Sequence, residues 1–196
     1  MPDPLFGDDD DANTLLTPEE REGLIPSYIA LRYELNEAEQ INIGKALQWC
    51  RARTHDVLER EFLHNLHRRM FGDVWKWAGQ YRTTSRNIGV EAYRIGMEVQ
   101  QTIDDAQYWV EHETYSPDEI AVRLSHRLVA IHPFPNGNGR FSRLIGDLLV
   151  RQLGQPAFTW GRQNLVSAGE TRAQYIEALR AADGHNIGPL LEFARL

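Results

Sequence analysis

Among the 196 residues one is cysteine, two are lysine, and none of the first twenty is basic. The single thiol, Cys50, excludes a disulfide framework and every thiolate zinc motif, which leaves a reducing compartment as the simplest setting. No apolar run approaches the length of about 18 residues that a membrane-spanning helix needs. The acidic start has neither the basic nor the apolar region of a signal peptide, so a cytoplasmic chain with no membrane partner is expected. Because Lys45 and Lys76 are the only lysines, nearly all positive charge is guanidinium, suited to bidentate anion contacts wherever arginines cluster. Residues 1–20 hold seven acids (Asp3, Asp8, Asp9, Asp10, Asp11, Glu19 and Glu20), so the net charge of -7 belongs to that stretch and the rest is balanced. A balanced body excludes a basic nucleic-acid-binding domain.

The remaining pattern is helical. Residues 1–16 read as an acidic mobile tail and 17–35 as an N-terminal segment, with the main domain over 36–196. Thr17-Pro18-Glu19-Glu20 has the form of a helix start that Gly23 and Pro26 soon end. Helical spacing recurs over Asn36–Arg53, over Thr54–Met70, from Val99 to Val110, and after the Ser116-Pro117-Asp118-Glu119 cap as far as His132-Pro133. It resumes from Gly139, from Ser167 to Ala182, and in a short final helix with Leu190, Leu191 and Phe193. Between Phe71 and Ile95 the period fails and strand-like composition at Tyr81–Thr84 and Val90–Tyr93 predicts a β-hairpin around Ser85–Gly89. The expected fold is mostly α with one hairpin.

One stretch carries chemistry: His132-Pro133-Phe134-Pro135-Asn136-Gly137-Asn138-Gly139-Arg140-Phe141-Ser142-Arg143, a helix, a tight glycine loop and a helix. Gly137 and Gly139 permit restricted backbone, so the amides of Gly137, Asn138 and Gly139 can converge on an anion where the next helix presents its unpaired N–H groups. Arg140 and Arg143 share one side of that helix's first turn and can grip further phosphate oxygens, whereas stability alone disfavours arginine at a helix N-terminus. His132, at the rim, can take a proton near neutral pH. Phe134 is expected to point into the core and pin the loop. A Walker A loop is excluded because no lysine is near, and a dinucleotide fingerprint because Ser142 stands where its third glycine would be. His64 and His67 lie three apart on a helix but lack a third metal ligand, and Trp160, near Arg162 and Asn164, is a weak candidate for stacking a base.

The string resembles the Fic motif, H-x-F-x-(D/E)-G-N-G-R-x-x-R, at seven of its eight defined positions, and Phe71–Gly79 resembles the lead-in to the Fic flap. The segment Thr17–Leu24 is similar to the Fic subgroup called mobile mystery protein B, whose genes travel beside a helix-turn-helix partner. The resemblance implies a Fic-type helical bundle with a central helix-loop-helix motif, and transfer of AMP from ATP to a Ser, Thr or Tyr hydroxyl of a target protein. It implies His132 as general base, Gly137, Asn138 and Gly139 as the phosphate cradle, Arg140 and Arg143 on the β- and γ-phosphates, and Thr83, Thr84, Ser85, Arg86, Asn87, Ile88 and Gly89 as a flap that aligns the target by strand addition. Asn136 departs from the motif, standing where Mg²⁺ (or Mn²⁺) is usually bound by an acid. It can offer a carbonyl oxygen but no charge, which leaves a non-catalytic or altered-donor regulator or toxin–antitoxin component as the alternative. An inhibitory glutamate of the family pattern (S/T)-x-x-x-E-(G/N) is approached by Glu22-Gly23, and a Glu22–Arg143 pair is the expected resting contact.

Overall fold

A computed structural model of the chain describes residues 22–162 and 168–196. Within them run seven α-helices: α1 (Arg32–Ala52), α2 (Arg60–Phe71), α3 (Ile95–Glu111), α4 (Pro117–Ile131), α5 (Asn138–Gln152), α6 (Ala168–Asp183) and α7 (Gly188–Arg195). The tail, the Thr17 helix start and the Ser167 cap lie outside the described residues.

α4 is the axis of the bundle and packs along α5, α3 and α7. It buries Ala121, Val122, Leu124 and Leu128 completely, more of its circumference than an amphipathic surface helix would. Its start is the one the sequence spells: Ser116 Oγ accepts from the Glu119 amide at 3.3 Å, with Pro117 in the first turn. It stops at Ile131, ahead of Pro133, and His132 takes a left-handed conformation with φ 55°.

Two helix starts differ from expectation for local reasons. α1 begins at Arg32, ahead of Asn36, because the Glu34 carboxylate accepts from the amides of Ala30 and Leu31 at 2.8 and 2.9 Å and supplies the cap. α2 begins only at Arg60, because Asp56 Oδ1 takes the Leu58 amide at 2.9 Å and holds that stretch in an Asx turn.

The expected β-hairpin is absent. Residues 81–91 form an irregular loop ahead of a single 3₁₀ turn at Ala92–Arg94. The would-be strands bond to the end of α4 and not to each other: the Arg82 amide donates to the Pro133 carbonyl at 2.9 Å and the Val90 amide to that of Ile131 at 3.2 Å. The buried Arg82 side chain fills the space a partner strand would need, its guanidinium bonding the carbonyls of Thr84, Val90 and His132. The strand-like segments thus meet the end of α4 through Arg82 and Val90 and not each other.

On the far half of α5, Asp147 ties the 158–160 segment to the bundle: its Oδ1 accepts from Trp160 Nε1 at 2.9 Å and from the Phe158 amide at 3.2 Å. Burial pushes its carboxyl up to about 6, against 3.8 ordinarily, although both hydrogen bonds oppose the rise. A raised carboxyl favours the neutral acid in the folded state, so stability falls as pH rises from about 4 through about 6 and stays lowered above. Asp147→Asn keeps the accepting oxygen and removes the charge. Urea denaturation should find it more stable than wild type by on the order of 2 kcal/mol at pH 7.5, with the difference vanishing near pH 4. A pH-independent difference would refute this account.

Candidate active site

The loop between α4 and α5 is closed from within. The Asn138 side chain brackets Phe134, accepting from its amide at 2.9 Å and donating to its carbonyl at 2.8 Å. Phe134 is fully buried and meets Phe141 edge-on at 5.1 Å, so the expected pin is in place. Asn138 is 2% exposed, and its side chain is therefore closed to any ligand; only its backbone amide remains for the cradle. Gly137 is left-handed at φ 77°, and a Cβ there would lie 2.5 Å from the Phe71 ring, so this glycine answers both a conformation and a contact. Gly139 is helical, and a Cβ on it would meet Arg143 at an ordinary 3.5 Å, so the backbone does not demand glycine there; its effect is to leave the first turn bare. α5 starts at Asn138, and helix geometry leaves the amides of Asn138, Gly139 and Arg140 without intrahelical acceptors. This end also carries the positive pole of the helix.

His132 stands half-buried at the rim. Burial foremost, then the charge of Arg82 and that of Arg86, holds its imidazole below the ordinary 6.5, while the Val129 carbonyl works the other way. A depressed imidazole is neutral at pH 7 and free to accept a proton. Its carbonyl is held by Arg82 Nε at 2.7 Å, and Gly89 approaches so closely that a Cβ would come within 2.6 Å of His132 Cβ. The segment 83–89 is exposed throughout and lies over the histidine.

Arg140 and Arg143 both turn into the protein. Arg140 Nη1 pairs with Glu39 Oε2 at 2.6 Å, the two side chains being 15% and 4% exposed, and its guanidinium lies over the Phe71 ring. Glu39 uses its other oxygen to accept from Trp75 Nε1 at 2.6 Å. Arg143 is 6% exposed and lies over Tyr175 at 5.3 Å. The carboxylate paired with Arg140 is thus Glu39, on α1. Glu22 is exposed on the wall of a cleft of about 830 Å³ shared with Trp77, Gln80, Arg86 and Asn136. Asn136 is itself exposed there, its Oδ1 accepting from the Gly137 amide at 2.7 Å.

Elsewhere the arginines of α4 are paired in place: Arg123 with Glu119, and Arg127 with Asp105. Trp160 is 2% exposed with its indole N–H on Asp147, so it offers no stacking face to a base. His64 and His67 hold backbone and not metal: His64 Nδ1 donates to the Gly79 carbonyl at 2.8 Å, and His67 joins the Gly79 amide to the Asn136 carbonyl. Among the described residues there is no cluster of three or more metal-ligating side chains.

Residues 57–150 match the Fic/DOC family. Over 148 residues the chain is 31% identical to the protein adenylyltransferase fic-1 of Caenorhabditis elegans, covering 74% of this chain and 27% of that protein. The chain thus spans about a quarter of the length of the curated relatives it matches. A solved structure of residues 134–508 of C. elegans Fic-1 superposes with a TM-score of 0.66 at 24% identity, over 89% of this chain and 51% of that one. A Bartonella tribocorum BepC structure with bound AMPPNP superposes with a TM-score of 0.65 at 20% identity, over 89% and 95%. Both share the fold.

Arg82 is the joint between the 83–89 segment and His132, and lysine cannot span three carbonyls with one ammonium. Arg82→Lys should cost about 2–3 kcal/mol in denaturant unfolding, since buried acceptors lose their donors. It should also speed limited proteolysis between Thr83 and Gly89 several-fold. Unchanged cleavage of that segment would show that the joint lies elsewhere.

Proposed function

The chain belongs to the Fic/DOC family, and from that membership we propose that it is a protein adenylyltransferase, moving AMP from ATP to a hydroxyl side chain of a target protein. The observation that carries the reading is the meeting of a neutral, half-buried imidazole, a helix N-terminus opened by glycine and two arginines within residues 132–143. His132 takes the proton of the target hydroxyl as its oxygen attacks the α-phosphorus. The bond from that phosphorus to the β-bridging oxygen breaks, and pyrophosphate leaves. The amides of Gly137, Asn138, Gly139 and Arg140 meet the charge that builds on the α- and β-phosphates, while Arg140 and Arg143 hold the β- and γ-phosphates. The exposed segment 83–89 offers its outward backbone to an extended stretch of the target, which favours recognition by strand pairing over side-chain readout.

A divalent ion is the poorest match. Asn136 contributes one neutral oxygen, already accepting from the Gly137 amide, and among the described residues the only carboxylate lining the cleft is that of Glu22, beside the neutral amide of Gln80. The residues present do not make a Mg²⁺ site by themselves, and no step above depends on one. A non-catalytic regulator or toxin–antitoxin component remains the second reading, favoured by Asn136 and by the buried Glu39–Arg140 pair. A cytoplasmic setting fits the lone cysteine; the helix-turn-helix partner rests on the resemblance of residues 17–24 alone.

With α-labelled ATP, wild type should transfer label to protein and His132→Ala should abolish it. Asn136→Asp should raise transfer at least several-fold in Mg²⁺. Because His132 lies below its ordinary value, transfer should climb through a midpoint under pH 6.5 and stay flat from 7 to 8. The transferase reading fails if label never reaches protein, even with Asn136→Asp.

In the resting protein, Glu39 holds the guanidinium that the triphosphate requires, so ATP must displace a buried carboxylate. Glu39→Gln should tighten ATP binding by roughly tenfold, about 1.4 kcal/mol, whereas Glu22→Gly should move it little. The reverse order, read by titration calorimetry, would restore the inhibitory role to Glu22.

A further inference from the structure

His67 on α2 is fully buried yet polar at both ring nitrogens. The Gly79 amide donates to Nδ1 at 3.0 Å, and an amide can only donate, so Nδ1 carries no proton. Nε2 lies 3.1 Å from the Asn136 carbonyl, which can only accept, so Nε2 carries the hydrogen. One neutral tautomer is therefore fixed by its two partners, and a second proton would set N–H against N–H. Burial foremost, with the charge of Arg140 and of His64 adding to it, lowers the group to about 3, in keeping with that tautomer. The ring stacks on Phe134 at 3.7 Å and an 18° angle, with Phe71, Phe141 and Trp77 closing the cage, so it cannot turn without moving the loop's own anchor.

A peptide unit is planar with its C=O and N–H pointing opposite ways. Holding the Asn136 oxygen inward on His67 therefore aims the N–H of the same peptide, that of Gly137, outward to the side where Asn136 Oδ1 and the cleft lie. Gly137 is the residue whose backbone could otherwise flip most readily, because glycine tolerates both hands. The other end of the strut is Gly79, whose carbonyl His64 also grips and from which the chain runs within three residues to Arg82.

We propose that His67 is a positioning residue: a neutral imidazole strut that couples the base of the 81–91 loop to the anion loop and fixes the outward direction of the Gly137 amide. The strut stands on the geometry alone; only its effect on nucleotide binding rests on the proposed reaction. Two substitutions separate its ends, since a glutamine amide reaches where Nε2 lies and an asparagine side chain where Nδ1 lies. In the full chain, His67→Asn should raise hydrogen exchange at residues 136–139 by tenfold or more and weaken ADP binding by a similar factor, with α3 and α7 amides unchanged. His67→Gln should recover most of both. In wild type, ¹⁵N-imidazole spectra should show a single Nε2–H tautomer that does not titrate between pH 5.5 and 8. Equal exchange at 136–139 in the two variants, or a wild-type imidazole that titrates or carries its proton on Nδ1, overturns the proposal. If neither variant folds, the wild-type spectrum decides it. A wild type that binds no ADP removes the nucleotide arm and the proposed reaction, and exchange at 136–139 still decides the strut.

Discussion

Turning the chain sharply between α4 and α5 takes backbone polar groups out of both helices and puts them in a buried place, and their satisfaction is the constraint on which the rest of the structure hangs. Side chains both near and distant in the sequence meet it. Asn138 takes both polar groups of Phe134, His67 takes the Asn136 carbonyl, and Arg82 takes that of His132. At the start of α5, helix geometry leaves the amides of Asn138, Gly139 and Arg140 without an acceptor inside the helix.

The same reasoning orders the charges. Arginine at a helix N-terminus is electrostatically misplaced, and the fold compensates with a carboxylate from α1 and with aromatic faces under both guanidinium groups. Glu39 is in turn fixed by Trp75, which belongs to the segment alongside which Gly23–Ile25 run. Arg123 and Arg127 of α4 and Arg140 and Arg143 of α5 become, in three dimensions, guanidinium groups met in place by carboxylates and aromatic faces.

Much of this was legible in the residues. Capping at Ser116, the stop before Pro133, the glycine turn and the burial of Phe134 follow from chemistry local in sequence. The expected hairpin does not form, since strand-like composition says nothing about which backbone a segment pairs with. The partner was the end of α4 and one guanidinium. Glu39 lies early in the helix expected to begin at Asn36, where an acid needs no partner beyond the helix dipole. With the cap moved to Glu34, position 39 faces inward, and its partner lies 101 residues away, beyond any local pattern. His67 was weighed as a metal ligand and set aside, since spacing cannot reveal that both its nitrogens end on backbone.

His132 has a left-handed backbone without being glycine, asparagine or aspartate. For an ordinary side chain that conformation costs roughly 1–2 kcal/mol, and glycine would occupy it freely. Selection for a durable fold alone would erode the histidine, so its presence at the end of α4 is a standing thermodynamic debt carried by the core of the bundle. A glycine at position 132 would carry the same left-handed backbone without that cost, so the end of α4 keeps its shape at the expense of stability.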